Sequence, residues 1–134
     1  MLETQVYKKI KKYVDGYFLR IDQTGHPDII VYKNNKHILI EVKIDSGSMK
    51  KANDPISYLG VYQGVWFNSY CYHKNTCGHI LIAYKDGYVL YNIIIDKFKI
   101  ATKLYSNICC SSKKIIDVIN YLNKNLNNGE QNGF

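Results

Sequence analysis

Gly25-His26-Pro27-Asp28-Ile29-Ile30-Val31-Tyr32-Lys33-Asn34-Asn35-Lys36-His37-Ile38-Leu39-Ile40-Glu41-Val42-Lys43 is the stretch on which the reading of this chain turns. Lys33-Asn34-Asn35-Lys36 has the composition of a tight hairpin turn, since asparagine tolerates left-handed backbone angles. Strands are expected on either side, over 28–32 after Pro27 and over 37–44. Side chains alternate between the faces of a strand. Ile38, Ile40, Val42 and Ile44 therefore share a core face, and Glu41 and Lys43 share the opposite one. If Asn34 and Asn35 form the turn centre, Lys33 pairs with Lys36, and counting outward sets Asp28 directly opposite Glu41. Cross-strand neighbours sit about 4.5–5.5 Å apart at Cβ. Two carboxylates so placed repel each other, and a divalent cation relieves the repulsion by taking both as oxygen ligands. Lys43, two residues from Glu41 on the same face, can hold an attacking water or offset charge on a phosphate. The plain alternative is a surface hairpin on which Lys43 merely balances two exposed acids.

Working outward, Leu2, Val6, Ile10 and Val14 recur at helical spacing and predict an amphipathic helix over 2–14. After the Asp15-Gly16 break a short strand is expected over 17–22, then a turn over 23–26. Ser46 to Lys51 reads as a flexible basic loop. Asp54-Pro55 resembles an N-cap with proline at the first helical position, opening a helix to about Tyr70. Segments 79–84 and 88–95 read as two strands about a Lys85-Asp86-Gly87 turn. Ile115, Ile119, Leu122 and Leu126 define a last helix starting near Ser112. The order α-β-β-β-α-β-β-α argues for an α/β fold with one mixed sheet flanked by helices, as a single domain over 1–126 with a polar, frayed tail over 127–134.

Pro27-Asp28, a hairpin, then Glu41-Val42-Lys43 resembles the signature of the PD-(D/E)xK nucleases. The longer stretch from Gly25 to Lys43 is similar to their VRR-NUC and archaeal Holliday-junction-resolvase branch, although no Val-Arg-Arg motif is present. More loosely, the likeness runs from Glu3 to about Ala83. It implies a restriction-endonuclease-like αβββαβ core, here with an extra strand and a C-terminal helix. It also implies that Asp28, Glu41 and the Val42 backbone carbonyl ligate Mg²⁺ or Mn²⁺ and that Lys43 positions the nucleophilic water. Glu3, on the first helix, and Gln63, on the helix after the Glu-x-Lys strand, match the family's supporting acid and glutamine in position. The expected activity is metal-dependent hydrolysis of DNA phosphodiester bonds, on duplex or on branched DNA such as a Holliday junction, in recombination or repair. A homodimer is expected for a four-way junction, which needs two active sites.

Two of these residues can also be argued without the resemblance. On its helix Gln63 shares a stripe with Ile56, Leu59, Trp66, Phe67 and Tyr70, and a polar side chain on an apolar face needs partners once buried. An acid such as Glu3 in the first turn of a helix is favoured by the helix dipole alone.

The 134-residue, 15.6 kDa chain is 46% hydrophobic and 22% charged, a globular balance. No apolar run approaches the roughly 18–20 residues of a membrane span, and the lysine-studded N-terminus lacks the pattern of a secretory signal. With its cysteines expected to stay reduced, an intracellular location, cytoplasmic or nuclear, is anticipated. Eighteen cations against 11 acids give a net charge of +7, which suits a polyanionic partner. All the cations but Arg20 are lysines, which favours backbone contact over base reading. Arg20, Lys8, Lys12, Lys50 and Lys51 are the candidate nucleic-acid contacts. Among the four cysteines, Cys71 and Cys77 fall with His73 and His79 within nine positions. These are zinc-ligand types, but their spacing is not the usual pair of hooks. The adjacent Cys109 and Cys110 are poor candidates for a mutual disulfide. Three classes of function remain distinct: a metal-dependent endonuclease, a nucleic-acid binder on the same fold that does not cut, and an interaction protein with a basic face.

Overall fold

The computed structural model describes residues 3–21, 27–52, 54–73, 76–96 and 103–128. Helix α1 spans Glu3–Tyr13, and strands β1 (Tyr17–Arg20), β2 (Ile29–Lys33) and β3 (Lys36–Ile44) follow. Helix α2 spans Val61–His73, β4 Thr76–Tyr84, β5 Gly87–Asp96, β6 Lys103–Ser112 and α3 Ile115–Asn127. Among the described residues six strands form one mixed sheet in the order β1-β2-β3-β4-β5-β6, in which only the β3–β4 pair is parallel. Parallel neighbours need a crossover, and the segment carrying α2 supplies it.

The hairpin forms as its sequence dictates. Lys33 pairs with Lys36 and Ile29 with Ile40, and Asn34 takes a left-handed φ of 55°. The alternation along β3 also holds. Ile38, Ile40 and Val42 join Ile29, Val31, Leu81 and Leu90 in a core covered by Val6 and Ile10 of α1 and by Val118, Ile119 and Leu122 of α3. The opposite face is buried as well. Ile80, Ile82, Val89, Tyr91 and Ile93 pack there under Phe67 of α2. Burial on both faces makes β3 buried without a break from Ile38 to Val42, the usual state of a strand in the middle of a covered sheet. Glu41 is consequently inside the protein and not on a surface hairpin.

Glycine lets α2 approach closely. A Cβ at Gly78 would lie 2.9 Å from the Phe67 ring and 3.3 Å from Leu39. At the other end of the sheet, Asn123 of α3 clamps the exit of α1. Its Oδ1 accepts from the Asp15 N–H at 2.6 Å and its Nδ2 donates to the Tyr13 carbonyl at 3.0 Å. The carbonyls at the end of a helix lack intrahelical partners, so this amide both caps α1 and ties it to α3.

Several expectations need correction. The helix expected from Asp54 to Tyr70 is two pieces. Asp54 does cap, accepting from the Ile56 N–H at 3.0 Å, but what it opens is a 3₁₀ turn over Pro55–Tyr58, and the α-helix begins only after Gly60. The loop over 46–51 holds a 3₁₀ turn at Met49–Lys51 capped by Ser48. Asp86 accepts from the Ser48 hydroxyl and the Met49 N–H, which pins that turn to the β4–β5 turn. The sheet has two strands beyond β4, not one. A register shift opposite Leu90 and Tyr91 leaves Cys109 unpaired within β6, and such a bulge breaks the two-residue period by which a strand is recognised. The strands Gly87–Asp96 and Thr76–Tyr84 are longer than expected, β1 ends at Arg20, and α3 begins at Ile115. The turn over 23–26 and the tail beyond Asn128 lie outside the described residues.

Candidate active site

Three elements converge on Glu41. It lies mid-strand in β3 and is 1% exposed. Continuing the β2–β3 register by one residue sets Asp28 beside it, as the count from the turn predicts. The two residues interlock. The Asp28 N–H donates to Glu41 Oε1 at 3.1 Å, and the Val42 N–H donates to Asp28 Oδ2 at 2.9 Å. Each carboxylate is thus oriented by the backbone of the other's strand.

Gln63 completes the set from α2. Its Nε2 donates to Glu41 Oε2 at 2.6 Å, and its Oε1 accepts from Lys43 Nζ at 3.2 Å and from the Gly60 N–H at 3.2 Å. The last of these bonds explains the broken helix. Gly64 N–H bonds to the Gly60 carbonyl, so Gly60 is the N-cap of α2 and Gln63 its third helical residue. A glutamine there reaches back to the N-cap amide. The Gly60 break turns a mid-helix glutamine into a capping residue whose amide is fixed at both ends. Lys43 Nζ also lies 3.2 Å from Glu41 Oε2, with the lysine side chain 23% exposed against 1% for the glutamate. The buried acid is therefore reached from solvent past the ammonium group.

The electrostatics follow. Burial, then the neighbouring Asp28 charge, push the Glu41 carboxyl up to about 7, against the opposing pull of Lys43. A buried acid beside a second acid is strained when ionised, and a cation would relieve it. Glu3 stands one step back, at the start of α1, where Tyr7 links it to the pair. The Tyr7 hydroxyl donates to Glu3 Oε2 at 3.3 Å and lies close enough to Asp28 to feel its charge. Burial, with the Asp28 and Glu3 charges, raises its ionisation above the ordinary tyrosine value. Nothing in the sequence pattern alone singled out Tyr7, and its spacing four residues after Glu3, on the same helical stripe, is the signal that bears on it.

Among the described residues no three His, Cys, Asp or Glu side chains form a ready metal cage. The donors gathered here are the carboxylates of Asp28 and Glu41, beside the backbone of Val42. That set fits a hard cation such as Mg²⁺, which is commonly bound through one or two carboxylates and keeps several waters.

The outlying cations are dispersed. The Arg20 guanidinium stacks 4.5 Å from the Tyr7 ring centroid, a cation–π contact beside the cluster. Lys8 and Lys12 lie exposed on α1, with Lys12 Nζ 5.2 Å from the Tyr13 ring. Lys50 and Lys51 are exposed on the 3₁₀ turn. Of the zinc-type residues, the side chains of Cys71, His73 and Cys77 lie outside the described residues. His79 is 2% exposed, and burial lowers its imidazole to about 4 despite a hydrogen bond to the Leu39 backbone. Cys109 and Cys110 are free thiols, partly buried against the core.

No family model, no curated protein and no solved structure matches the chain. No helix among the described residues is long and apolar enough to cross a membrane.

Proposed function

We propose that this chain is a metal-dependent nuclease of the PD-(D/E)xK kind that hydrolyses phosphodiester bonds in DNA. One observation carries the reading: a buried glutamate joined by direct contacts to an aspartate, a lysine and a glutamine from three separate elements. Structural ion pairs rarely recruit a second carboxylate into a buried site, because the like charges oppose each other. The run α1-β1-β2-β3-α2-β4, with β3 and β4 parallel, agrees with a restriction-endonuclease-like core.

Asp28, Glu41 and the Val42 carbonyl would hold Mg²⁺ or Mn²⁺. When bound, the metal would activate water and neutralise charge on the scissile phosphate. The protein's own groups do the rest. The Val42 and Asp28 amides fix the two carboxylates. Gln63 keeps the second oxygen of Glu41 and the Lys43 ammonium in place. Lys43, at the solvent boundary, orients the attacking water and offsets negative charge as the phosphate becomes pentacovalent. Glu3 acts through Tyr7, holding the Asp28 side of the pair. A homodimer follows if the substrate is a four-way junction, since two strands must be cut.

The test is cleavage of labelled linear duplex, single-stranded, flap and four-way-junction DNA with Mg²⁺, Mn²⁺ or EDTA. The expected result is metal-dependent product that falls at least about 10²-fold in Glu41→Ala and in Lys43→Ala, while binding survives. Unchanged cleavage in both variants would sink the mechanism. The alternative is a nucleic-acid binder on the same fold that does not cut. The net charge of +7 supports it, and salt-sensitive binding without metal-dependent product would identify it.

A further inference from the structure

Helix α1 has two working flanks, and the acid cluster uses only one. At 100° per residue, Val6 and Ile10 form the stripe buried in the core. Glu3 and Tyr7 fall to one side of it, toward Asp28. Gln5, Lys9 and Tyr13 fall to the other side at four-residue spacing. There they line a groove closed by Tyr88 of β5 and by Lys113, Lys114 and Ile115 at the entrance to α3. Lys9, Lys113 and Lys114 are exposed, and no acid is among the described residues that line the groove. Asp117, the acid of the first turn of α3, accepts from the Ser112 hydroxyl. Opposite α1, the groove wall comes from the start of β5, the β6–α3 connection and the first residues of α3, which lie outside the αβββαβ elements.

We infer that this groove is a second phosphate-backbone track and that the ligand is therefore a nucleic-acid double helix. Three lysines along one channel that no described acid lines complement a polyanion, and lysine serves as a point charge for phosphate. The spacing selects the duplex. A helix with its side chains is about 10–12 Å across, which is the scale of a B-DNA major groove, about 12 Å wide. With one backbone at the acid cluster and the other in the lysine groove, α1 lies between them, and its solvent side presents Lys8, Lys11 and Lys12. A single strand can occupy one flank or the other, whereas only a duplex engages both. The inference uses the nuclease reading solely to place the first backbone at the acids.

The experiment compares wild-type protein with the triple variant Lys9→Ala/Lys113→Ala/Lys114→Ala and with a control of equal charge loss away from α1, Lys36→Ala/Lys85→Ala/Lys124→Ala. Thermal midpoints first establish that all three are folded. Binding to a labelled duplex and to its single strand is then measured in EDTA by anisotropy across a salt series. The groove variant is expected to weaken duplex binding at least tenfold and to flatten the log–log salt slope by roughly two to three. Its affinity for the single strand should change less than threefold, and the control should change neither by more than threefold. Equal losses in both triple variants would reduce the effect to net charge and overturn the inference. So would a groove variant with an unchanged duplex slope, or one whose single-strand and duplex affinities fall together. Stronger groove-dependent binding to phosphatidylserine vesicles than to duplex at the same salt would reassign the groove to a lipid surface. Duplex binding that depends on the groove without any metal-dependent cutting would leave this inference standing and remove the nuclease reading.

Discussion

At Glu41 and His79, two buried groups titrate in opposite senses. Glu41 is raised from 4.5 to about 7 in the fold. The folded state therefore binds more protons than the unfolded chain. Its contribution to stability is complete below about 4.5 and is lost as pH rises through about 7. His79 is lowered from 6.5 to about 4, so its contribution is present above 6.5 and is lost as pH falls through about 4. The two windows overlap and partly cancel in the wild-type protein. Single variants should separate them. In EDTA, Glu41→Gln, which imitates the neutral acid, should gain stability relative to wild type between pH 5 and 8, by on the order of 2–3 kcal/mol at about 1.4 kcal/mol per pH unit. Thermal midpoints across that range are the measurement, and a difference that does not grow with pH would refute the assignment. Added Mg²⁺ should stabilise wild type more at pH 8 than at pH 5, because protons and the cation compete for one carboxylate. Tyr7→Phe removes a hydroxyl that donates to Glu3 beside Asp28. We expect a loss of about 1 kcal/mol in stability and at least a tenfold loss of cleavage with DNA affinity unchanged. Equal cleavage by this variant would confine Tyr7 and Glu3 to a structural role.

Among the elements, α2 does the positioning. Phe67 anchors it on the sheet over Gly78, and Gln63 lies one turn earlier on the same helix. A methyl group at Gly78 would meet the Phe67 ring at 2.9 Å. Gly78→Ala should therefore cost about 1–3 kcal/mol and should shift α2, lowering cleavage more than binding. Denaturant melts and single-turnover cleavage would show this, and a variant as stable and as active as wild type would exclude the close approach. The clamp on α1 offers a second test. Asn123→Ala leaves the Tyr13 carbonyl and the Asp15 amide without their side-chain partner, and a loss of about 1–2 kcal/mol is expected in the same melts. These two contacts span 110 and 108 residues of chain, a separation that no local pattern encodes.

On the scale of the whole molecule, both faces of the sheet are covered, and at the candidate site Lys43 is partly exposed while Glu41 is buried. Net positive charge of +7 acts over the whole surface, so DNA binding of any kind should weaken steeply with salt. Its distribution matters more than its total. Lys33, at the hairpin end, is held by Asp15 at 2.6 Å, whereas Lys9, Lys113 and Lys114 have no ion-pair partner among the described residues. The cations open to a polyanion thus include those near the entrance to α3.

The hairpin and its consequence were legible from the sequence because they are local. Asn34-Asn35 fixes the turn, the turn fixes the register, and a two-residue period then sets Asp28 against Glu41 with Lys43 on the same face. The apolar stripes of α1 and α3 were legible for the same reason, being periodic over a few turns. The burial of Glu41 was not, since alternation alone describes a strand with one wet face. Only the docking of α2 decides that both faces are covered. The start of α2 at Gly60, the bulged strand β6 and the link from Glu3 through Tyr7 to Asp28 depend likewise on partners far along the chain. Sequence determined which side chains share a face. Tertiary packing decided which faces lose water, and with that the charge state of Glu41 and the reach of Lys43.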